Sequence, residues 1–317
     1  MLSMTDFTDA QLLLRLRTRQ LLLIRLLDVE RNLGRAAAAL NISQPAATKL
    51  LQQAEETLGA RLFQRSPRGM LPTTAGEVVV RYVRTLFSDF GLMREELAAL
   101  ASGLKGHLRI GSVPGAVPSL VAPALIEYKR RHPNVQVSVI EDTSNVIVHL
   151  LARGEVDLVL GRLTEEHMAG SYDVSPLSED AQVLVVRQGH PLLQQSSVSL
   201  TELISAAWIM QPPGAPQRTR LDAALREAGI TRKLNITETS STVLTTALLQ
   251  ISDMVAVMPT SLATHYGRYA GLCTVPLNTP MRLPAISLIT VTGRPLSAAA
   301  AHFAAMVRAL AQEGSLP

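Results

Sequence analysis

From Val79 onward the apolar residues Val79, Val83, Leu86, Phe90, Met93, Leu97, Leu100 and Leu104 recur at spacings of 4, 3, 4, 3, 4, 3 and 4. A heptad pattern held over 26 residues without an error describes one continuous helix with a narrow apolar stripe. Such a stripe asks for another helix. A neighbour in the same chain is one way to cover it, but a projecting helix with so narrow a stripe is poorly satisfied by a single neighbour. The spacing therefore predicts self-association through Val79, Val83, Leu86, Phe90, Met93, Leu97 and Leu100. Gly91 weakens the helix by about 1 kcal/mol relative to Ala and leaves room for close approach. A rod of this kind, set in a chain of 317 residues, divides it into separate domains.

Ahead of the rod the chain is helical punctuation. An apolar helix runs through Leu21 to Val29, a short one spans Arg35 to Leu40, and a third spans Ser43 to Leu58 with Gly59 as its stop. Ser43 is a good N-cap and Pro45 fits a first turn, so the third helix has a sharply defined start. Its apolar positions Ala47, Leu50, Leu51, Ala54 and Leu58 share one face. Gln44, Thr48, Lys49, Gln52 and Gln53 are left on the other. That face is either an ordinary solvated surface or a reader of base edges, because Gln can bond adenine and Lys can bond guanine or phosphate in a major groove. After Gly59, Arg61, Arg65 and Arg68 surround a Ser-Pro and Gly turn flanked by Leu62-Phe63 and Met70-Leu71. This pattern predicts a two-stranded wing with arginines at its tip, suited to phosphate or minor-groove contact.

Charge supports a polyanion partner. Residues 15–84 hold 12 basic against 5 acidic side chains, whereas residues 106–317 hold 16 of each. A basic lobe on a neutral body is an electrostatic footprint of nucleic acid binding. There is no apolar run long enough to span a bilayer, since Leu21 to Leu27 is short and carries Arg25. The first ten residues, with Asp6 and Asp9, do not resemble a secretory leader. The single Cys273 cannot form an internal disulfide and is read as a small core residue. A cytoplasmic location is expected.

From His107 strands and helices alternate. HLRIGSV precedes a helix from Pro114 to Tyr128, VQVSVIE precedes a helix from Ser144 to Arg153, and VDLVLGR follows; AQVLVVRQ, AAWIMQ, LNITET, MVAVMP and AISLITV read as later strands. Short strand-helix-strand connections imply parallel βαβ units. In open α/β sheets ligands sit beyond the carboxyl ends of strands, at helix N-termini. Those ends are Ser112-Val113-Pro114-Gly115, Asp142-Thr143-Ser144, Gln211-Pro212-Pro213-Gly214 and Glu238-Thr239-Ser240-Ser241. Each is either a helix cap or a ligand contact.

Catalytic chemistry is not written in this sequence. It has no Gly-x-Ser-x-Gly elbow, Walker loop, GxGxxG after a strand, or metal-spaced cluster. Glu165-Glu166-His167 reads as a solvated turn and His149 as a lone histidine on an apolar helix. No enzyme activity, cofactor or metal is expected. An exported solute-binding protein is disfavoured by the missing leader and the basic N-terminal lobe.

The stretch AAAALNISQPAATKLLQQAEETLGARLFQRSPRGMLPTTAGE resembles the N-terminal domain of LysR-type transcriptional regulators. The matching positions are Ala36-Ala37, Leu40, Ser43-Gln44-Pro45-Ala46, Leu58-Gly59, Leu62-Phe63-Gln64-Arg65 and Thr73-Thr74-Ala75-Gly76. LRIGSV, YKRRHPNVQVSV, LARGEVDLVLGRL and the HPL at 190–192 are similar to the same family's effector domain, so the likeness covers roughly residues 15–310. The wing wording RSPRGMLPT is similar to a subgroup that includes regulators of sugar-binding proteins and of aromatic-acid catabolism. Two positions depart from the pattern. Ala54-Glu55 stands where the family has Leu-Glu, a loss of core volume that costs about 2 to 5 kcal/mol if uncompensated. Thr48 stands where Ser is common and adds a methyl able to touch thymine.

The resemblance implies an α/β multidomain chain. Residues 1–73 would form a winged helix-turn-helix, 74–105 a linker and dimerisation helix, and 106–317 a two-lobed periplasmic-binding-protein-like effector domain. Its first lobe would comprise about 107–178 and 284–317, and its second about 179–283. Ser43, Gln44, Pro45, Thr48, Lys49 and Gln52 would meet the major groove of double-stranded promoter DNA, with Arg35, Arg65 and Arg68 on backbone or minor groove. Ser112, Pro114, Thr143, Ser144, Gln211 and Thr239 would meet a small-molecule inducer, a small organic acid or other polar metabolite. The linker would pair subunits, commonly into a dimer of dimers.

Overall fold

The computed structural model describes residues 15–67, 69–102, 106–163 and 172–312. The chain divides after Met93 into two compact units. In the first, α1 (Thr18–Glu30), α2 (Leu33–Ala39) and α3 (Gln44–Leu58) are followed by a hairpin of β1 (Phe63–Ser66) and β2 (Gly69–Pro72), and then by the start of α4 (Thr74–Ser102), whose last residues from Arg94 belong to the second. Leu23, Ile24, Leu27, Ala36, Ala47, Ala54 and Leu62 form a shared core with no or almost no exposure.

The break between α2 and α3 has a local cause. Asn41 takes the left-handed conformation at φ 54°, its N–H donates to the Ala38 carbonyl and the Ile42 N–H donates to that of Ala37. That pair of bonds is a Schellman stop, which Asn tolerates. Ser43 then caps α3, its hydroxyl accepting from the Ala46 N–H at 3.4 Å. Gly59, at φ 66°, ends α3 in the same way, with Ala60 donating to Glu55 and Gly59 to Glu56.

The second unit is built on one sheet, nine strands among the described residues. Its first half holds β3 (Gly106–Ser112), β4 (Val135–Glu141) and β5 (Leu158–Gly161), paired in parallel and connected through α5 (Ala122–Arg131) and α6 (Ser144–Ala152). The second half holds β7 (Ala207–Met210), β8 (Asn235–Glu238), β9 (Val255–Pro259) and β10 (Leu272–Val275), with α7 (Pro216–Glu227), α8 (Thr242–Ile251) and α9 (Thr260–Ala270). Two long antiparallel strands, β6 (Tyr172–Arg187) and β11 (Met281–Val291), run through both halves, and α10 (Ala298–Gln312) returns to the first.

Each half has its own core. Leu108, Ile110, Leu120, Tyr128, Leu288 and Phe303 belong to the first. In the second, alternation along the strands feeds both faces of the sheet. Leu184, Val186, Trp208 and Met210 enter one cluster, while Val185 and Ile209 enter the other, as a period of two requires.

Two expectations are corrected. The helix predicted from Pro114 to Tyr128 is split into a 3-10 turn at Pro114–Ala116, a π turn at Val117–Val121 and α5. Pro114, Pro118 and Pro123 supply no N–H, and the Ala122 N–H reaches back to Val117 instead. The strands predicted at AQVLVVRQ and AISLITV are the ends of longer ones, because mutual pairing extends β6 back to Tyr172 and β11 back to Met281.

Candidate nucleic-acid interface and effector cleft

On α3, Ala47, Leu51, Ala54 and Leu58 are buried, and Ser43, Gln44, Pro45, Thr48, Lys49, Gln52 and Gln53 are exposed. Two of these polar groups are already engaged. The Thr48 hydroxyl donates to the Gln44 carbonyl at 3.0 Å, leaving its lone pairs and methyl outward, and the Gln52 amide donates to Glu56 at 3.0 Å. Arg35 is exposed and paired, its Nε 2.9 Å from Glu30 Oε2 and its Nη2 on the Glu30 carbonyl. Its cation is therefore partly neutralised, and a phosphate would have to compete with Glu30.

The wing forms as a four-residue-by-four-residue antiparallel hairpin, with Arg65 opposite Met70. Arg61 and Arg65 are exposed; Arg68 lies outside the described residues. The hairpin is fixed by contacts that the sequence reading did not identify. Glu55 on α3 accepts the N–H groups of Leu62 at 2.7 Å and Phe63 at 3.2 Å. This seats the third helix against the wing. Gly69, at φ 104°, lies against the C-terminus of α1, where a Cβ would meet the Arg31 carbonyl oxygen at 2.3 Å, and the Met70 N–H donates to that oxygen at 2.7 Å. The Thr73 hydroxyl donates to the Arg61 carbonyl at 2.6 Å and accepts from the Gly76 N–H at 3.0 Å.

On α4 the heptad residues separate into two roles. Val83 is buried in the first unit's own core and Val79 packs beside it, which corrects their expected place in an intermolecular seam: they cover the three-helix platform. Leu86, Phe90, Met93 and Leu97 remain exposed, together with Tyr82. The side chain of Leu100, and Leu104, lie outside the described residues.

In the second unit, a small cleft opens between the two halves of the sheet. Pro114, Thr143 and Ser144 line it from the first half, and Gln211, Pro216 and Gln217 from the second. An adjoining small cleft shares Gln211 and Gln217 and is walled by Thr239, Ser240, Thr242 and Thr245. Of the six expected effector residues, Ser112 is the exception. It is fully buried behind the wall, with its hydroxyl donating to the Val113 carbonyl at 3.0 Å, and its carbonyl accepts the Asp142 N–H. That backbone bond ties the end of β3 to the residue after β4.

Two arginines in this region were not identified from sequence. Arg162, just beyond β5, lines the first cavity with 1 % exposure; burial lowers its pKa, opposed by the charge of Asp180 and the hydrogen bond to it. Arg218 on α7 donates to the Gln211 carbonyl at 2.9 Å and to Glu238 at 3.0 Å, positioning the ends of β7 and β8. Its spacing of four from Asp222 was the available signal.

The remaining candidates are peripheral. Cys273 is free and half-buried on β10, His149 is exposed on α6, and Glu165, Glu166 and His167 lie outside the described residues. Among the described residues no group of three or more His, Cys, Asp or Glu side chains could hold a metal ion, and no helix is long and apolar enough to cross a membrane.

Residues 18–77 match the bacterial regulatory helix-turn-helix proteins of the lysR family, and residues 101–312 match the LysR substrate binding domain. The regulator GbpR of Azospirillum brasilense is 35% identical over 296 residues, covering 93% of this chain and 86% of GbpR. The regulator GalR of Pseudomonas putida is 29% identical over 283 residues, covering 89% of this chain and 71% of GalR. Full-length CbnR, solved in complex with its target DNA, superposes with a TM-score of 0.62 at 21% identity, covering 93% of this chain and 99% of CbnR. These relatives are regulators rather than enzymes. The chain belongs to the LysR family of DNA-binding transcriptional regulators, with a helix-turn-helix domain and an effector-binding domain.

Proposed function

We propose that this regulator reads promoter DNA with the outer side of α3 and responds to a small polar metabolite, an organic acid foremost, held between the halves of its effector domain. Ser43, Gln44, Pro45, Thr48, Lys49 and Gln52 face the major groove, while Arg65 and Arg68 hold backbone or minor groove and Arg35 approaches phosphate only by releasing Glu30. Pro114, Thr143, Ser144, Gln211 and Thr239 surround the metabolite. The exposed stripe of α4 joins two copies, and pairs assemble into a dimer of dimers.

The observation that carries the reading is the composition of the exposed α3 face. Amide, hydroxyl and ammonium groups lie on one side of a helix whose other side is buried, which is the arrangement a base-reading helix needs. The cavity between the sheet halves supports the second part, because a ligand that touches both halves favours one arrangement of them over another, and differential affinity is what shifts a conformational equilibrium. Footprinting on the promoter region beside its own gene, with and without a panel of organic acids and sugars, tests this. Protection of a defined segment whose pattern changes with one metabolite is the expected result. Uniform, salt-labile coating without a bounded site would sink it.

A further inference from the structure

Aromatic rings interleave where α5 ends against α10. Tyr128 meets Phe303 edge-on with ring centres 5.5 Å apart, His132 lies 4.9 Å from Tyr128, and His302 stacks on His132 at 5.2 Å with 19° between the planes. Phe303 and His302 belong to α10, Tyr128 to α5, and His132 caps the carboxyl end of α5. Tyr128 and Phe303 have no exposure, and the Tyr128 hydroxyl donates to the Ala299 carbonyl at 3.0 Å. That inner pair is fixed core packing. The outer pair differs, because His132 is half-buried and His302 exposed, so protons reach both imidazoles.

The surroundings oppose two charges on the pair. The groove beside the stack is lined by both histidines together with Glu127, Arg131, Met306 and Leu310. Glu127, the one acid among its lining residues, already accepts from Arg130 and Arg131, and those bonds lower its pKa to about 2. It is committed to the arginines and not to an imidazolium. Arg131 adds a positive charge to the same wall. The neighbouring Lys129 turns its ammonium to the Pro133 and Val135 carbonyls. From α10 the lining includes no charged or titratable side chain except His302, and Arg308 lies outside it. Tyr128 stays a neutral phenol, since burial pushes its pKa up to about 12.

Burial, the charge of His302 and that of Arg131 together hold His132 below the ordinary imidazole range. They prevail over the preference of a helix carboxyl end for a cation. Two imidazoles in contact titrate as a pair, and a second unit charge about 5 Å from the first changes an equilibrium by roughly fivefold even in wet surroundings.

We infer that His132 and His302 form a proton-sensitive latch between α5 and α10. With no more than one imidazole charged the rings stay stacked; with both charged they part, and α10 loosens from the first half of the sheet. The sign follows from linkage. The unfolded chain takes up protons on both imidazoles near pH 6.5 and the folded pair resists, so the latch is fully stabilising above about pH 7 and fails as the pH falls below about 6.5. Acid thus acts on the effector domain without occupying its cleft.

Hydrogen exchange of the full-length protein, read by mass spectrometry at about pH 7.5, 6.5 and 5.5, tests this at constant ionic strength with rates corrected for the intrinsic pH dependence of amide exchange. In the wild type the protection of α10, relative to that of α7 in the second half, falls by about fivefold or more from the highest pH to the lowest. His302→Phe keeps a ring against His132 that cannot be charged, and it holds its α10 protection over the whole range. His132→Gln, whose loss of packing lowers protection at every pH, also flattens the profile. His149→Gln, on the exposed face of α6, keeps the wild-type profile. An α10 protection independent of pH in the wild type, an equal fall in α7, or an acid-dependent fall that survives in both His302→Phe and His132→Gln overturns the latch.

Discussion

Asp28 of α1 accepts two bonds from Arg84 of α4 on a single carboxylate oxygen, Oδ2, one from Nε at 2.7 Å and one from Nη2. The other oxygen lies 3.3 Å from Arg31 Nη2. The Asp28 side chain is 3% exposed and that of Arg84 is 20% exposed, so this ion pair joins the first helix of the DNA-binding unit to the root of the linker helix in a largely dry setting. Removing one member of such a pair leaves the other unpaired, which matters more than the missing attraction.

Asp28→Ala therefore lowers the unfolding free energy of the first unit by about 3 kcal/mol, the lower end for a buried pair because Arg84 keeps some water. Asp28→Leu combined with Arg84→Met restores most of that loss, since apolar replacement of both partners removes the stranded charge. Urea denaturation followed by helical circular dichroism distinguishes the two. Equal losses in the single and double variants would show that side-chain packing, not charge, holds the helices together.

Gly76 makes a second prediction. A Cβ there would meet the Leu62 carbonyl oxygen at 1.9 Å, a backbone atom that also accepts the Thr73 N–H at 2.9 Å. Gly76→Ala must displace the wing or the first turn of α4, and a loss of more than about 4 kcal/mol is expected. Gly59 provides the contrast, with φ 66° but nothing within 4 Å of an added Cβ. Gly59→Ala meets only the left-handed backbone penalty of about 1 to 2 kcal/mol. Expression and melting of the two variants side by side check the order, and a Gly76→Ala protein as stable as Gly59→Ala would refute the close packing.

What the sequence disclosed and what it concealed follow from the range of the forces involved. Ser43, Pro45 and Gly59 mark the ends of α3 because caps and stops are local, and heptad spacing marks α4 for the same reason. Glu55 looks like one more solvated helical acid until β1 is brought to it. Gly69 and Gly76 owe their identity to Arg31 and Leu62, distant backbone that no local pattern names. Arg162 follows four buried strand residues and reads as the exposed end of β5; its burial is imposed by β6 and β11. The Tyr172 to Glu179 part of β6 carries Ser, Pro, Asp and Glu without clean alternation, and becomes strand only through its pairing with β11.

The linker helix gives a third prediction. Tyr82, Leu86, Phe90, Met93 and Leu97 follow one another at spacings of 4, 4, 3 and 4 and are 39 to 68% exposed, an apolar stripe of the kind that partner helices cover. Phe90→Glu places a carboxylate in that stripe in both copies and should weaken dimerisation by at least about tenfold, as removal of a central aromatic anchor does. Val83→Ala, inside the first unit's core, should instead lower stability by roughly 1 to 3 kcal/mol with little change in association. Sedimentation equilibrium of both variants decides between these roles. An unaltered association constant in Phe90→Glu would move the interface elsewhere.

Gln44 and Arg65 separate two modes of DNA recognition. Gln44 is exposed in the first turn of α3, with its amide oxygen near Gly34, 3.5 Å from where a Cβ there would lie. From that position it can offer a donor and an acceptor to one base edge, and Gln44→Ala should cost about 1 to 3 kcal/mol on the preferred duplex while relaxing discrimination at one base pair. Arg65 is exposed on β1 of the wing, and a guanidinium there meets phosphate or a narrow minor groove irrespective of base identity. Arg65→Ala should weaken binding to all duplexes alike and reduce the slope of log K against log salt by about 1. Anisotropy titrations on the preferred site and on single-base variants, repeated from low to physiological salt, separate these outcomes. If both substitutions gave the same sequence-blind weakening, α3 would not be the reading element, because a side chain that hydrogen-bonds a base edge in the major groove cannot be removed without changing which base is preferred there.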